Sequence, residues 1–132
     1  MENLNIMDKT NKFKKYKKII FCFDNDNTIC KTKRSEYSKS IPIKKNIKII
    51  NKLFEEGHFI KIFTSRYMGR TNSDSKKAYK LGYLKTFNQL KKWNLNFHEL
   101  IMGKPRYDIF VDDKNINFSK NWSNIIIKKY LN

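Results

Sequence analysis

The stretch that decides the fold runs from Ile19 to Thr28 and reads Ile-Ile-Phe-Cys-Phe-Asp-Asn-Asp-Asn-Thr. Its first five residues are apolar, and so short a run between polar residues is typical of a strand buried on both faces of a parallel sheet. Two carboxylates, Asp24 and Asp26, follow directly. Because ligands of open α/β sheets bind beyond the carboxyl ends of the strands, the stretch predicts a site there. The alternative is a strand that simply ends in an Asx-rich turn.

Three further apolar runs, over residues 59–63, 99–102 and 108–111, also end in side chains that can carry chemistry. They lead, in chain order, into Thr64-Ser65-Arg66, Gly103-Lys104-Pro105 and Asp112-Asp113-Lys114. Taken singly, each has an ordinary structural explanation, because a Thr after a strand is usually a turn residue and a Lys is usually solvated. Together, the four runs predict one site at one edge of one parallel sheet.

This order of motifs resembles the haloacid dehalogenase (HAD) superfamily of aspartate-based phosphohydrolases. Its four motifs are Asp-x-Asp-x-Thr after a strand, a strand that ends in Thr or Ser, a Lys, and a strand that ends in acids. They match Asp24 to Thr28, Thr64, Lys104 and the pair Asp112-Asp113. The strings at 63–68, 102–105 and 110–114 are also similar to those of small phosphatase-like proteins from capsular and surface-polysaccharide gene clusters.

The resemblance implies a three-layer Rossmannoid α/β fold with a central parallel sheet. Its strand order would be 3-2-1-4, with the strand that carries Asp24 in the middle. The resemblance also implies an Mg²⁺-dependent phosphatase. Asp24 would attack phosphorus and form an aspartyl-phosphate, while Asp26 would protonate the leaving alcohol and then activate water.

The remaining roles implied by the resemblance concern phosphate and metal. Thr64, Ser65 and Lys104 would bind the phosphoryl oxygens. The Mg²⁺ ion would be held by Asp24, by the backbone carbonyl of Asp26, and by Asp112 and Asp113. The substrate would be a small phosphorylated metabolite, such as a sugar phosphate in polysaccharide biosynthesis.

The connecting segments predict helices. Ser40-Ile41-Pro42 has the features of a helix start, and apolar residues then recur at helical spacing until Gly57. They are Ile43, Ile47, Ile50, Leu53 and Phe54. A second helix is predicted from Leu81 to Trp93, with a core face formed by Leu84, Phe87, Leu90 and Trp93. Residues 123–130 are compatible with either a short helix or an edge strand.

The length of 132 residues predicts a single domain over residues 19–132, preceded by a flexible basic tail over residues 1–18. The gap from Thr28 to Ser40 is too short for a cap domain, and residues 67–79 are expected to form only a loop. We therefore expect an open, capless site that a neighbouring subunit of a homo-oligomer can screen. Arg66 and Arg70 are candidates for contacts with a second acidic group of the substrate, or else solvated loop charges.

The net charge of +17 favours anionic partners and leaves nucleic-acid binding open. The most suggestive patch is Lys14-Lys15-Tyr16-Lys17-Lys18. However, the lysines are spread along the whole chain and only four residues are Arg, which indicates a compositional bias. A polynucleotide-end or nucleotide phosphatase, or a non-catalytic nucleic-acid-binding protein on a HAD-like scaffold, is the alternative function. A receiver-type signalling module is disfavoured. In such a module the acid pair comes first and a lone acceptor Asp follows in mid-chain, whereas here Asp24-x-Asp26 comes first and the acid pair Asp112-Asp113 comes last.

The two cysteines, Cys22 and Cys30, predict no disulfide, because Cys22 belongs to the buried strand and nothing marks an oxidising compartment. No apolar run approaches the length needed to cross a membrane, and the N-terminus has no apolar signal-peptide core. The expected location is therefore the cytoplasm.

Overall fold

The computed structural model describes residues 18–119 and 121–131. In chain order its elements are β1 (Ile20–Asp24), β2 (Cys30–Lys31), β3 (Ile41–Pro42), α1 (Lys44–Glu55), β4 (Phe59–Thr64), α2 (Ser75–Lys92), β5 (Glu99–Met102) and α3 (Trp122–Ile126). Short 3₁₀ turns lie at Tyr37–Lys39 and Gly69–Thr71, and a π-helical turn at Ile127–Leu131 continues α3. The predicted basic tail, apart from Lys18, lies outside the described residues.

The central sheet is parallel and has the order β1-β4-β5, so the α/β class predicted from the sequence is confirmed. Helix α1 connects β1 to β4, and α2 connects β4 to β5. The register pairs Asp24 with Phe63 and Thr64 with Met102. The carboxyl ends of the three strands therefore meet at one edge of the sheet. A separate antiparallel ribbon joins β2 to β3.

The core lies against the sheet face that carries Phe21, Phe23, Ile60 and Ile62, all of which are buried. Strand residues alternate between faces, so Cys22 and Asp24 belong to the opposite, more open face. On the buried face, the ring of Phe23 lies 5.8 Å from that of Trp122 in α3.

Helix α1 agrees with its predicted apolar spacing, although its start differs. Ile47, Ile50 and Leu53 are buried, and Gly57 follows the helix with a φ of 95°, a conformation that favours glycine. Ser40-Ile41-Pro42 was predicted to cap the helix, and that prediction is wrong. Residues 41 and 42 pair with β2 instead, and no side chain caps α1.

Helix α2 begins six residues before the predicted Leu81, within the segment predicted to be a loop. The Asp74 side chain accepts hydrogen bonds from the N–H groups of Lys76 and Lys77, and this N-cap allows the helix to begin in a polar segment. The core face also differs from the prediction, since Leu84 is 68% exposed. The buried residues of α2 are Ala78, Gly82, Thr86 and Leu90.

The predicted fourth strand does not form. Residues 103–119 contain no strand, Ile109 and Val111 are 82% and 90% exposed, and β1 lies at an edge of the sheet instead of its middle. The physical reason is the length of the connection, because only residues 103–107 separate β5 from the apolar run at 108–111. A return to a parallel strand ordinarily needs a dozen or more residues.

The C-terminal segment, for which the sequence allowed a helix or a strand, is helical. Trp122 and Ile126 are buried, and the ring of Tyr130 packs edge-on against Phe21 at a centroid distance of 5.1 Å. This helix therefore covers the same side of β1 as the core. Among the described residues, no helix has both the length and the apolar character needed to cross a membrane.

Candidate active site

The loop after β1 is a tight turn that brings a hydroxyl back to the first aspartate. The carbonyl of Asn25 accepts the N–H groups of Thr28 and Ile29, and Asn27 adopts a φ of 65°. Asn tolerates this left-handed conformation better than most residues. As a result, Thr28 Oγ1 donates a hydrogen bond to Asp24 Oδ2 over 3.3 Å. The stretch therefore does form the Asx-rich turn, and that turn holds Thr28 against Asp24.

The centre of the site is an ion pair between Asp24 and Lys104, which are far apart in the sequence. Lys104 Nζ lies 3.0 Å from Asp24 Oδ1. The backbone N–H of Lys104 donates to the carbonyl of Thr64, so β5 delivers its lysine across the end of β4 towards β1. The juxtaposition of these two predicted site residues is confirmed.

The environment of Lys104 keeps it charged. Burial by itself lowers the pKa of the ammonium group, but Tyr107 and Asp24 raise it, and the net result is a pKa above the usual lysine value. The ammonium nitrogen also lies 5.4 Å from the centre of the Tyr107 ring and 5.8 Å from that of Phe110. No sequence motif singled out these two aromatic residues.

Asp24 and Lys104 open onto a cleft of about 900 Å³ along the exposed side of β1. The Asp24 side chain is 36% exposed and that of Lys104 is 12% exposed. The charged side chains that line the cleft are Asp24, Asp26, Lys104, Asp112 and Lys114. An anion that enters the cleft can thus reach a carboxylate and an ammonium group together.

The second aspartate, Asp26, is held by Arg66. Arg66 Nη2 lies 2.8 Å from Asp26 Oδ1, and Arg66 Nε lies 3.0 Å from Asp26 Oδ2. The Arg66 side chain is only 2% exposed. The two interpretations of Arg66 as a substrate contact or a solvated loop charge are therefore both wrong, because its guanidinium group is buried and paired.

Arg66 connects several parts of the chain around Asp26. It donates to Gln89 Oε1 in α2 over 2.7 Å and to Ser40 Oγ over 3.2 Å. Its guanidinium carbon lies 4.8 Å from the centre of the Tyr37 ring. Thr32 adds a further hydrogen bond to Asp26 Oδ1, with a length of 2.5 Å. These contacts around Arg66 and Asp26 could not have been predicted from a local sequence motif, because the residues that make them come from separate segments of the chain.

The structure does not bring Thr64 and Ser65 to the cleft. Asp24 pairs with Phe63, so the Thr64 side chain points to the opposite sheet face, where it is 1% exposed. Its hydroxyl oxygen accepts the backbone N–H of Arg66 over 3.2 Å. Neither residue lines the cleft. The prediction that both bind phosphate beside Asp24 is not met by this geometry.

The four aspartates predicted as metal ligands are also not gathered together. Within residues 18–119 and 121–131, no group of three or more His, Cys, Asp or Glu side chains could hold a metal ion. The Asp26 carboxylate is engaged by Arg66, and Asp113 is exposed outside the cleft because residues 108–111 form no strand. Asp24 and Asp112 do line the same cleft. Two carboxylates suit Mg²⁺, which usually retains several waters and also binds substrate phosphates.

The remaining residues considered in the sequence are Arg70 and the two cysteines, and all three are described by the structure. Arg70 is exposed, stacks on the Tyr67 ring at 4.7 Å, and does not line the cleft. Cys22 and Cys30 are both free thiols, but Cys22 is exposed, so the expectation that it is buried with its strand is wrong. Desolvation raises the pKa of both thiols, so neither is an activated nucleophile.

Comparison with known proteins supports the fold alone. No family model and no curated protein matches this chain. The crystal structure of a Vibrio cholerae protein is similar, with 20% sequence identity and a TM-score of 0.66. The likeness covers 83% of this chain and 97% of the Vibrio cholerae chain.

Proposed function

We propose that this protein is a HAD-type phosphomonoester hydrolase that works through an aspartyl-phosphate on Asp24. The observation that carries the proposal is the ion pair between Asp24 and Lys104, at the carboxyl end of parallel strands and beside an open cleft. A phosphate monoester repels nucleophiles with its own negative charge, so a site that attacks it must supply positive charge. Lys104 supplies that charge next to the attacking carboxylate.

In the first chemical step, a carboxylate oxygen of Asp24 forms a bond to phosphorus as the bond to the leaving alcohol breaks. The hydrogen bond from Thr28 to Asp24 Oδ2 orients the nucleophile. The ammonium group of Lys104 neutralises charge on the phosphoryl oxygens. Water then attacks the aspartyl-phosphate and releases inorganic phosphate, which restores Asp24.

Asp26 is the proposed acid and base of these two steps. Its Oδ1 accepts hydrogen bonds from both Arg66 and Thr32, whereas within the described residues its Oδ2 accepts only from Arg66 Nε. Oδ2 therefore keeps a free lone pair and is the oxygen at which the proton is held. The proton passes from Oδ2 to the leaving alcohol, and Oδ2 later takes a proton from the attacking water.

Mg²⁺ is part of the proposal, with Asp24 and Asp112 as the residues that would hold it. When bound, the ion would neutralise charge on the phosphoryl oxygens. The two carboxylates line the same cleft as Lys104, and carboxylates are the ligands preferred by an ion that keeps most of its waters.

The proposed substrate is a small phosphorylated metabolite such as a sugar phosphate. A second candidate, a polynucleotide-end or nucleotide phosphatase, is favoured by the aromatic side chains in the wall of the cleft. Tyr107, Phe110 and Phe118 are 46%, 50% and 68% exposed, and exposed aromatic rings can stack on bases. The net charge of +17 suits either anionic substrate.

Measurement of phosphate release from sugar phosphates, nucleotides and phosphorylated oligonucleotides, with and without Mg²⁺, tests the proposal. We expect Mg²⁺-dependent turnover of sugar phosphates that is absent from the Asp24→Asn variant. Equal activity of that variant and the wild type would exclude covalent catalysis by Asp24. A strong preference for phosphorylated oligonucleotides would favour the second candidate.

A further inference from the structure

The side chain of Arg66 is almost completely buried, and all three of its guanidinium nitrogens donate hydrogen bonds within the protein. Its Nε and Nη2 donate to Asp26, its Nη1 donates to Gln89, and its face lies over the Tyr37 ring. Gln89 is itself held, because its Nε2 donates to the carbonyl of Tyr37 over 2.8 Å. The guanidinium group is therefore fixed from several directions, and it fixes Asp26 in turn.

Stability alone is a weak explanation for such an arrangement. Burial of two charges costs free energy that their attraction often only offsets, and apolar side chains of similar volume commonly serve a core equally well. Direct substrate binding is also excluded as an explanation, because the Arg66 side chain is 2% exposed and Asp26 already occupies its donors.

We propose that Arg66 is a positioning residue that sets Asp26 in the orientation needed for acid–base catalysis, an inference that rests on the proposed function. Arg66 donates to both carboxylate oxygens, and Thr32 adds a further donor to Oδ1, so Oδ2 has fewer donors and is the working oxygen. A residue in a catalytic constellation must be held to within a fraction of an ångström by its neighbours. The buried guanidinium group provides this restraint from behind the carboxylate.

The dependence of activity on the leaving group of the substrate distinguishes a positioning role of Arg66 from a merely structural one. An alkyl phosphate needs a proton from Asp26 as its alcohol departs, whereas an aryl phosphate with an acidic phenol needs little protonation. The value of kcat/KM reports steps up to formation of the aspartyl-phosphate. A change that disturbs only the position of Asp26 should therefore lower kcat/KM for alkyl phosphates selectively.

The experiment compares Arg66→Lys, Asp26→Asn and the double variant on one alkyl phosphate and on p-nitrophenyl phosphate. For the alkyl phosphate, we expect Asp26→Asn to lose about 100-fold or more and Arg66→Lys at least about 10-fold. For the aryl phosphate, Arg66→Lys should lose less than about 3-fold. The double variant should be within about 3-fold of Asp26→Asn, because residues that act through one another are not additive.

Two further variants guard against loss of folding. Thr32→Val removes the second donor to Oδ1 without leaving a buried charge unpaired, and should give a smaller, alkyl-selective loss. Ile50→Val is the matched control, because Ile50 is fully buried in α1 and its side chain has no polar atom that could hold Asp26. It should lower stability slightly and leave the ratio of alkyl to aryl activity unchanged.

A second measurement does not depend on activity. Nitrogen-15 NMR should show that the Nε–H of Arg66 exchanges with solvent far more slowly than that of the exposed Arg70. Equal exchange rates would overturn the inference, as would equal loss of both activities in Arg66→Lys or additive losses in the double variant. Any of these results leaves the proposed function intact if the wild type hydrolyses phosphate monoesters. A wild type that hydrolyses none would refute both.

Discussion

Replacement of Lys104 by Met removes the positive charge beside the nucleophile and keeps most of the side-chain volume. Lys104 Nζ lies 3.0 Å from Asp24 Oδ1, and its side chain is 12% exposed, so water cannot readily take its place. Loss of one charge-stabilising donor in an active site typically costs about 10² to 10³ in turnover, or about 2.7–4 kcal/mol. We therefore expect kcat/KM to fall by roughly that factor.

The same substitution should have a much smaller effect on stability. Asp24 is 36% exposed and keeps the hydrogen bond from Thr28, so water can solvate it after the lysine is removed. We expect the free energy of unfolding to change by about 1 kcal/mol or less, as for other partly exposed ion pairs. The change in catalysis should thus exceed the change in stability.

The assay follows phosphate release at 25 °C alongside urea unfolding of each variant. Lys61→Met is the matched control, because Lys61 lies in β4 outside the cleft and its ion-pair partner is the exposed Glu99 at 3.7 Å. That control should retain activity within about 2-fold of the wild type, as most exposed substitutions do. A Lys104→Met variant with more than about a tenth of wild-type kcat/KM would refute the role assigned to Lys104.

Four further predictions follow from the same structure. Asp24→Asn should reduce turnover to background, as measured by phosphate release, because loss of a covalent nucleophile costs several orders of magnitude. Asp112→Asn should raise the Mg²⁺ concentration needed for half-maximal activity, whereas an unchanged titration would remove Asp112 from the metal site. Burial and Lys18 lower the pKa of His58, whose Nδ1 accepts the N–H of Ile19 over 3.1 Å. When the pH is lowered below 6.5, the usual pKa of histidine, the unfolded state therefore binds a proton at His58 that the folded state does not. The free energy of unfolding should decrease as the pH is lowered further, until the pH reaches the lower pKa of the folded state. Urea unfolding of the wild type and His58→Gln between pH 7.5 and about pH 5.5 checks this, because the variant should lose less stability. Finally, kcat/KM on a sugar phosphate should change less than about 10-fold from 50 to 200 mM salt, whereas tight oligonucleotide binding at the higher salt would favour the polynucleotide candidate.

The sequence by itself determined the elements whose signals are local. The apolar runs at β1, β4 and β5, the helical spacing of α1 and the glycine after it were all visible in the chain, because burial and backbone geometry impose those periods directly. The meeting of Asp24 and Lys104 was also predictable. Parallel strands that alternate with helices place their carboxyl ends together, whatever the details of packing.

Tertiary structure decided where individual side chains point and which partners they meet. The register that pairs Asp24 with Phe63 turns Thr64 to the other face, and a shift of one residue would reverse this. The short connection after β5 leaves residues 108–111 outside the sheet and separates Asp113 from the cleft. Arg66 appears in the sequence as one more basic loop residue. Only the packing of α2 and the Tyr37–Ser40 segment buries it against Asp26, because such a pairing depends on contacts between segments distant in sequence.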